Sequence, residues 1–200
     1  MKHAPLVGVL LAAGLGRRFD ASGAESKLLQ SMSDGRSVIQ HSASALISAL
    51  PNSLIVVNQH QHGAALLAQC LPLGFATVTC RHDQHHAEFG MASSIMHAIQ
   101  ATPENCAGWI IALADMPYVQ PSTIHAIRDA LQAGADMVVP CYGGRRGNPV
   151  GFSARYRADL LALRGDQGAR QLLRDYPPQI LDVADAGILR DIDLREDLLS

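Results

Sequence analysis

A chain of 200 residues, 48% apolar and 17% charged, is long enough to bury a substantial core and short enough to form one domain. A net charge of −2 and an aromatic content of 4% argue against a nucleic-acid binder, a membrane-surface binder and a base-stacking platform for single strands. Cys70, Cys80, Cys106 and Cys141 lack C-x-x-C spacing, which excludes a zinc ribbon and suits a reducing compartment.

The apolar run at residues 6–13 is too short to span a bilayer, and Gly14-Leu15-Gly16-Arg17-Arg18 stands where a cleavage site would fall. A cytoplasmic protein without a signal peptide is expected. Runs rich in Val, Ile and Leu at residues 5–11, 53–57, 76–80, 109–113 and 137–139 predict buried strands. Amphipathic stretches at residues 38–50, 61–71, 91–101 and 122–132 predict helices between them. Ser37 and Pro121-Ser122 sit at helix starts, and Gly134 just past a helix end. Past Pro140, Gly143-Gly144-Arg145-Arg146-Gly147 reads as a flexible tip. Helices at 154–163 and 168–175 and a strand at 179–183 complete the chain. Alternating strands and helices imply parallel strands joined by right-handed crossovers. The expected fold is one α/β domain over residues 1–200, a Rossmann-like three-layer sandwich with a mostly parallel sheet.

Ligands of open α/β sheets bind beyond the carboxyl ends of the strands. The first strand runs there into Leu11-Ala12-Ala13-Gly14-Leu15-Gly16-Arg17-Arg18-Phe19. Small residues let backbone N–H groups approach phosphate oxygens, and Arg18 and Lys27 add positive charge. Phe19 replaces the third glycine of a dinucleotide fingerprint, and no Walker A string exists. A turn that merely joins strand to helix remains the alternative. Ala114-Asp115-Met116-Pro117 follows the strand at 109–113, which places a carboxylate over the same crevice, able to hold Mg²⁺ beside substrate phosphates. Its alternative is an Asp that caps a turn.

Three further features do not point to separate chemistry. His82, Asp83, His85 and His86 lack the spacing of a metal site on a helix face and read as a solvated loop or a substrate-loop contact. Ser93 and Ser94 have no nucleophile-elbow context. Met91 and Met96 read as helix core.

Together, Leu11-Ala12-Ala13-Gly14-x-Gly16-x-Arg18, Lys27-Leu28-Leu29 and Ala114-Asp115-Met116-Pro117 resemble the MobA-like nucleotidyltransferases, closest to the molybdenum cofactor cytidylyltransferase branch. Gly90-Met91-x-x-Ser94-Ile95, Arg146-Gly147-Asn148-Pro149-Val150, Gly165-Asp166-x-Gly168-Ala169-Arg170 and Asp191-Ile192-Asp193-Leu194-Arg195-Glu196-Asp197-Leu198 extend the likeness, in family order, over nearly the whole chain. The resemblance implies Mg²⁺-dependent transfer of CMP from CTP to the phosphate of molybdopterin, with the product passed to a molybdenum hydroxylase of the xanthine-dehydrogenase type. It implies nucleotide binding by Leu11, Ala12, Ala13, Gly14, Gly16, Arg18, Lys27 and Ser94, with Ser94 reading the base. It makes Arg18, Lys27 and Asp115 catalytic, and Asp115 and Asp193 metal ligands. Gly147, Asn148, Pro149, Asp166 and Arg170 would line the acceptor side. Ala12-Ala13-Gly14 resembles the cytosine-accepting form of the turn. Another phosphorylated acceptor, a non-catalytic cofactor carrier and an NAD(P)-dependent reductase are the competing readings, and Phe19 counts against the last.

The chain departs from the family pattern twice. Asp20 takes a position usually held by glycine, and residues 21–26 lengthen the loop before Lys27. That stretch, with Gly23 as pivot, reads as a lid, and Asp20 and Glu25 would oppose an anionic ligand if they came close. Leu194-Arg195 stands where Thr-Pro is common, and Arg195 is expected only to cap the last helix.

Overall fold

A computed structural model describes residues 4–59, 62–80, 90–165 and 168–199. Its strands are β1 (Leu6–Ala12), β2 (Ser53–Asn58), β3 (Ala76–Cys80), β4 (Gly108–Leu113), β5 (Met137–Tyr142), β6 (Arg145–Arg146), β7 (Val150–Ser153) and β8 (Gln179–Asp182). The helices are α1 (Val38–Ala49), α2 (Gly63–Cys70), α3 (Met91–Gln100), α4 (Pro121–Gln132), α5 (Arg157–Leu161) and α6 (Arg170–Asp175).

The strands form one sheet in the order β3-β2-β1-β4-β7-β5-β6, with β8 paired to β5. β1 to β4 are mutually parallel and β8 is parallel to β5, whereas β7 runs antiparallel between β4 and β5. β6 shares an edge of β5 with β7, because β8 takes the other edge from Val138 to Cys141. Successive side chains of a strand face opposite ways, and both faces are covered. Leu10, Ile55 and Ile110 pack with Ile39 and Leu46 of α1 and Ile124 and Ile127 of α4. Val9, Val56 and Ile111 pack with Ile95 and Ile99 of α3 and Leu160 of α5. The result is the expected three-layer α/β sandwich with a mostly parallel sheet.

Local chemistry sets the helix boundaries. Ser37 and Gln40 form a reciprocal capping box at the start of α1, Pro121 opens α4, and Gly134 follows α4 with φ at 103°. Four sequence expectations change. Residues 76–80 do form β3, but as an edge strand whose Ala76, Thr77 and Thr79 are exposed. β5 continues through Pro140 to Tyr142. The tip is a tight hairpin: Tyr142 pairs with Arg145, and Gly143 and Gly144 have φ of 56° and 77°, as a two-residue type I′ turn requires. Met91 is 41% exposed, so it is not core. Residues 82–86, with the histidine cluster, lie outside the described residues. No helix among the described residues is long and apolar enough to cross a membrane.

Candidate active site

The carboxyl ends of β1 and β4 meet directly, with Ala114 N donating to Leu11 O at 3.1 Å. Leu11, Ala12 and Ala13 are buried there, Gly14 and Leu15 emerge, and Gly16 turns the chain with φ at 60°. Phe19 N donates to Gly16 O at 2.9 Å and the buried Phe19 ring anchors the turn. An open crevice of about 410 Å³ lies beside it, lined by Ala12, Gly14, Leu15, Gly16 and Lys27, with Asn58, His62 and Gly63 across it. Asn58 ends β2 and His62 precedes α2, so both come from the next strand-to-helix turn.

Asp115 is the second residue of the turn after β4, and its carbonyl accepts from Ile192 N at 2.8 Å. That bond brings the chain's distal segment to the site. Ile192 is fully buried, whereas its neighbours Asp191 and Asp193 are exposed and half-buried. Carboxylate oxygens of Asp115, Asp191 and Asp193 lie within 4.8 Å of one another. Lys27 Nζ donates to Asp115 Oδ2 at 2.7 Å and to Asp193 Oδ1 at 3.1 Å, and Arg18 pairs with Asp193. Burial alone would push the Lys27 ammonium down, but Asp115 and Asp193 together outweigh it and hold its pKa above the ordinary lysine value. Three carboxylates against two cations leave an excess of negative charge. Hard oxygen ligands in this number suit a divalent cation completed by substrate phosphates.

Arg18, Lys27, Asp115 and Asp193 are therefore brought together. Ser94 is not with them: it is 6% exposed and hydrogen-bonded to Cys80. The expectation that it reads the base is not supported by its position, because its α3 face packs on the sheet. Gly147 and Asn148 sit against the segment that carries the distal aspartates, with Asn148 N donating to Ile188 O at 3.1 Å. A Cβ on Gly147 would lie 2.3 Å from that carbonyl, so only glycine permits the approach. Asn148 and Pro149 line a small cavity with Leu113 and Met116 just below the end of β4. Gly165 O accepts from Ala92 N at the start of α3, and Gly168 packs on Met91, with exposed Arg170 following. Asp166 lies outside the described residues.

The loop before Lys27 is organised by its own acid. Asp20 accepts from the Ser22 hydroxyl and from the Ser22 and Glu25 backbone N–H groups. Those bonds hold its pKa down at about 2. The carboxylate is thus committed to its own loop and not set against a ligand in the crevice. The loop expected to act as a lid is tied at two points, since Gly23 O contacts His62 Nε2 at 3.1 Å and Glu25 pairs with Arg195 at 3.0 Å. Arg195 also lies 5.0 Å over the Phe19 ring. The two departures from the family pattern meet here: the lengthened loop supplies Glu25, and the altered closing motif supplies the arginine that grips it. Asp197 meanwhile accepts from Asp193 N and Leu194 N at 2.9 and 2.7 Å, which fixes the turn after Asp193.

Sequence reasoning missed the crevice-lining Asn58 and His62, and it missed Asp185. Asp185 is buried and accepts from Gln120 N, Thr123 Oγ1 and Gly187 N, docking the distal segment on α4. An acid two residues before a glycine, Asp185-Ala186-Gly187, was the available signal.

The model of the MobA-like NTP transferase domain family matches residues 8–180. The purine catabolism protein PucB of Bacillus subtilis (strain 168) is 27% identical over 207 aligned residues, covering 98% of this chain and 96% of PucB. Rv0371c of Mycobacterium tuberculosis H37Rv superposes with a TM-score of 0.83 at 24% identity, over 98% of this chain and 96% of its own. The complex of Rv0371c with manganese superposes at 0.77 with 22% identity, over 98% and 96% of the two chains.

Proposed function

The chain belongs to the MobA-like NTP transferase domain family, and from that premise we propose that it transfers CMP from CTP to the phosphate of a molybdopterin-type cofactor, with release of pyrophosphate. The coarser activity, nucleotidyl transfer, follows from the family itself. The observation that carries metal-assisted transfer from a triphosphate is the convergence of Arg18, Lys27, Asp115, Asp191 and Asp193 beside the small-residue turn, while the choice of CTP and of the pterin acceptor rests on the sequence resemblance.

On this reading the backbone N–H groups around Gly14 and Gly16 receive the triphosphate, with Arg18 and Lys27 neutralising its oxygens. Asp115 and Asp193, with Asp191 beside them, would hold Mg²⁺, which would supply charge neutralisation and a template. That a structure of Rv0371c contains manganese supports a divalent ion as the cofactor. An oxygen of the acceptor phosphate forms a bond to the α-phosphorus while the bond from that phosphorus to the β-bridging oxygen breaks. No proton need move, because a phosphate monoester is already an anion at neutral pH. Positioning and electrostatics therefore carry the rate, in keeping with a site of Lys, Arg and Asp. Gly147, Asn148, Pro149 and Arg170 would form the acceptor side, and Ala12-Ala13-Gly14 would favour cytosine. The product serves a molybdenum hydroxylase of the xanthine-dehydrogenase type in the cytoplasm, a reading supported by the purine-catabolic role in PucB's name.

Pyrophosphate release measured with CTP, GTP and ATP, with and without the molybdenum cofactor, tests the proposal. Release with CTP that depends on the cofactor is expected. Equal turnover with CTP and GTP refutes the cytidylyl preference, since a pocket matched to one base edge discriminates by about 1–3 kcal/mol per lost partner.

A further inference from the structure

Lys27 has a side chain only 13% exposed, and its ammonium bonds both Asp115 and Asp193. The same residue lines the crevice behind Gly14 and Gly16. In the proposed reaction the carboxylates hold a divalent ion and the lysine holds the triphosphate. Those two roles compete for one arrangement, because the ammonium sits on the two carboxylates that the ion needs and like charges on one carboxylate pair repel.

We infer that Lys27 is a tethered cation that neutralises the acidic cluster in the free protein and moves to the triphosphate when metal and nucleotide are both present. The inference rests on the proposed metal site at Asp115 and Asp193. A metal ion arriving alone must displace Lys27 and leave a largely buried ammonium unpaired, which is a costly state. An ion arriving with a triphosphate brings the partner that Lys27 moves to. Metal and nucleotide binding are then coupled beyond their direct contact, and the coupling is reciprocal. Arg18 also pairs with Asp193, but with 79% of its side chain exposed it can swing into water at little cost. Lys27 cannot. Its short reach to both Asp115 and the turn makes it the element that exchanges partners.

Lys2 and Lys27 are the lysines of this chain, so amine acylation read by mass spectrometry reports on Lys27 in the wild-type protein, with Lys2 as internal reference. Lys27 should label slowly in the free protein. Saturating Mn²⁺ alone should raise its labelling relative to Lys2 about fivefold or more. Further addition of a non-transferable CTP analogue should suppress it again. In parallel, Lys27→Met should bind Mn²⁺ without nucleotide about tenfold more tightly than the wild type, as counted by the electron paramagnetic resonance of free Mn²⁺. Lys27 labelling that ignores Mn²⁺ while Mn²⁺ binding is measured, or Lys27→Met affinity equal to or below wild type, overturns the inference and leaves the metal site standing. If wild type and Lys27→Met both fail to bind Mn²⁺ with or without the analogue, the metal site itself falls and the inference falls with it. The labelling arm decides the matter should Lys27→Met fail to fold.

Discussion

Replacing Asp185 with alanine should loosen the segment that delivers Asp191 and Asp193, although Asp185 lies outside the acidic cluster. Asp185 is 2% exposed and accepts from Gln120 N at 2.9 Å, Thr123 Oγ1 at 2.7 Å and Gly187 N at 2.9 Å. Alanine removes all three acceptor contacts. The Thr123 hydroxyl can rotate to another partner, but the two backbone N–H groups cannot. At about 1–3 kcal/mol for a buried donor left unpaired, the Gly187 N–H dominates the loss, and the part-buried Gln120 N–H, which water can reach, adds less, for about 2–4 kcal/mol together. That is a large share of the roughly 5–15 kcal/mol that stabilises a domain. Asn keeps one acceptor oxygen and turns an NH₂ group towards the remaining donors, so about half the loss is expected of Asp185→Asn. Urea denaturation should show the midpoint falling from wild type through Asn to Ala at constant slope. Nucleotidyl transfer should fall with it under native conditions, because Ile188 and Ile192 seat the aspartates from the same segment. An alanine variant that loses less than about 1 kcal/mol would refute this account of the anchor.

Asp115→Asn preserves shape but removes charge, and should lower turnover about a hundredfold or more with the fold intact; near-normal turnover in Mg²⁺ would sink the assignment. Arg195→Ala frees Glu25 and Phe19 at an exposed clasp, and should raise KM for the nucleotide about two- to fivefold with kcat unchanged. A fall in kcat alone would remove Arg195 from the positioning of this loop. The Asp20 carboxyl is held down from 3.8 to about 2, so its support of the loop is present in full above 3.8 and is lost as pH falls through about 2. Nuclear magnetic resonance titration of the Ser22 and Glu25 amides should show that low midpoint, and a midpoint near 3.8 would contradict it.

The central strands were legible because both their faces are covered. β1, β2 and β4 are continuous apolar runs for that reason. Ala76-Thr77-Val78-Thr79-Cys80 has similar strand-forming character, yet nothing local says that it ends the sheet. β7 escaped notice because it is four residues long, follows Pro149 and contains Gly151. The glycine is there for α4, whose Ile127 would lie 2.7 Å from a Cβ at that position. An antiparallel insertion between β4 and β5 depends on such cross-chain packing and leaves no periodicity to read.

At the site, topology did what spacing could not. Asp115 and the Ala13-Gly14 turn are recognisable because they follow strands whose carboxyl ends share one edge. The Asp191-Ile192-Asp193 pattern also reads correctly, since the Ile is buried and the acids on either side of it are exposed and half-buried. The Lys27 ion pairs were invisible, because they join residues that are 88 and 166 positions apart. Asp20 is the opposite case. Its partners are two and five residues away, and they absorb a charge that composition alone would set against the nucleotide.

The central claim is that the chain moves a nucleotidyl group to a phosphorylated acceptor. CTP labelled at the α-phosphorus, incubated with this protein, Mg²⁺ and the molybdenum cofactor, tests it most directly. The account predicts that the label passes into a pterin dinucleotide while unlabelled pyrophosphate accumulates in equal amount. Label recovered as free CMP at the same rate whether or not the cofactor is present would contradict it, because that outcome describes hydrolysis and not transfer.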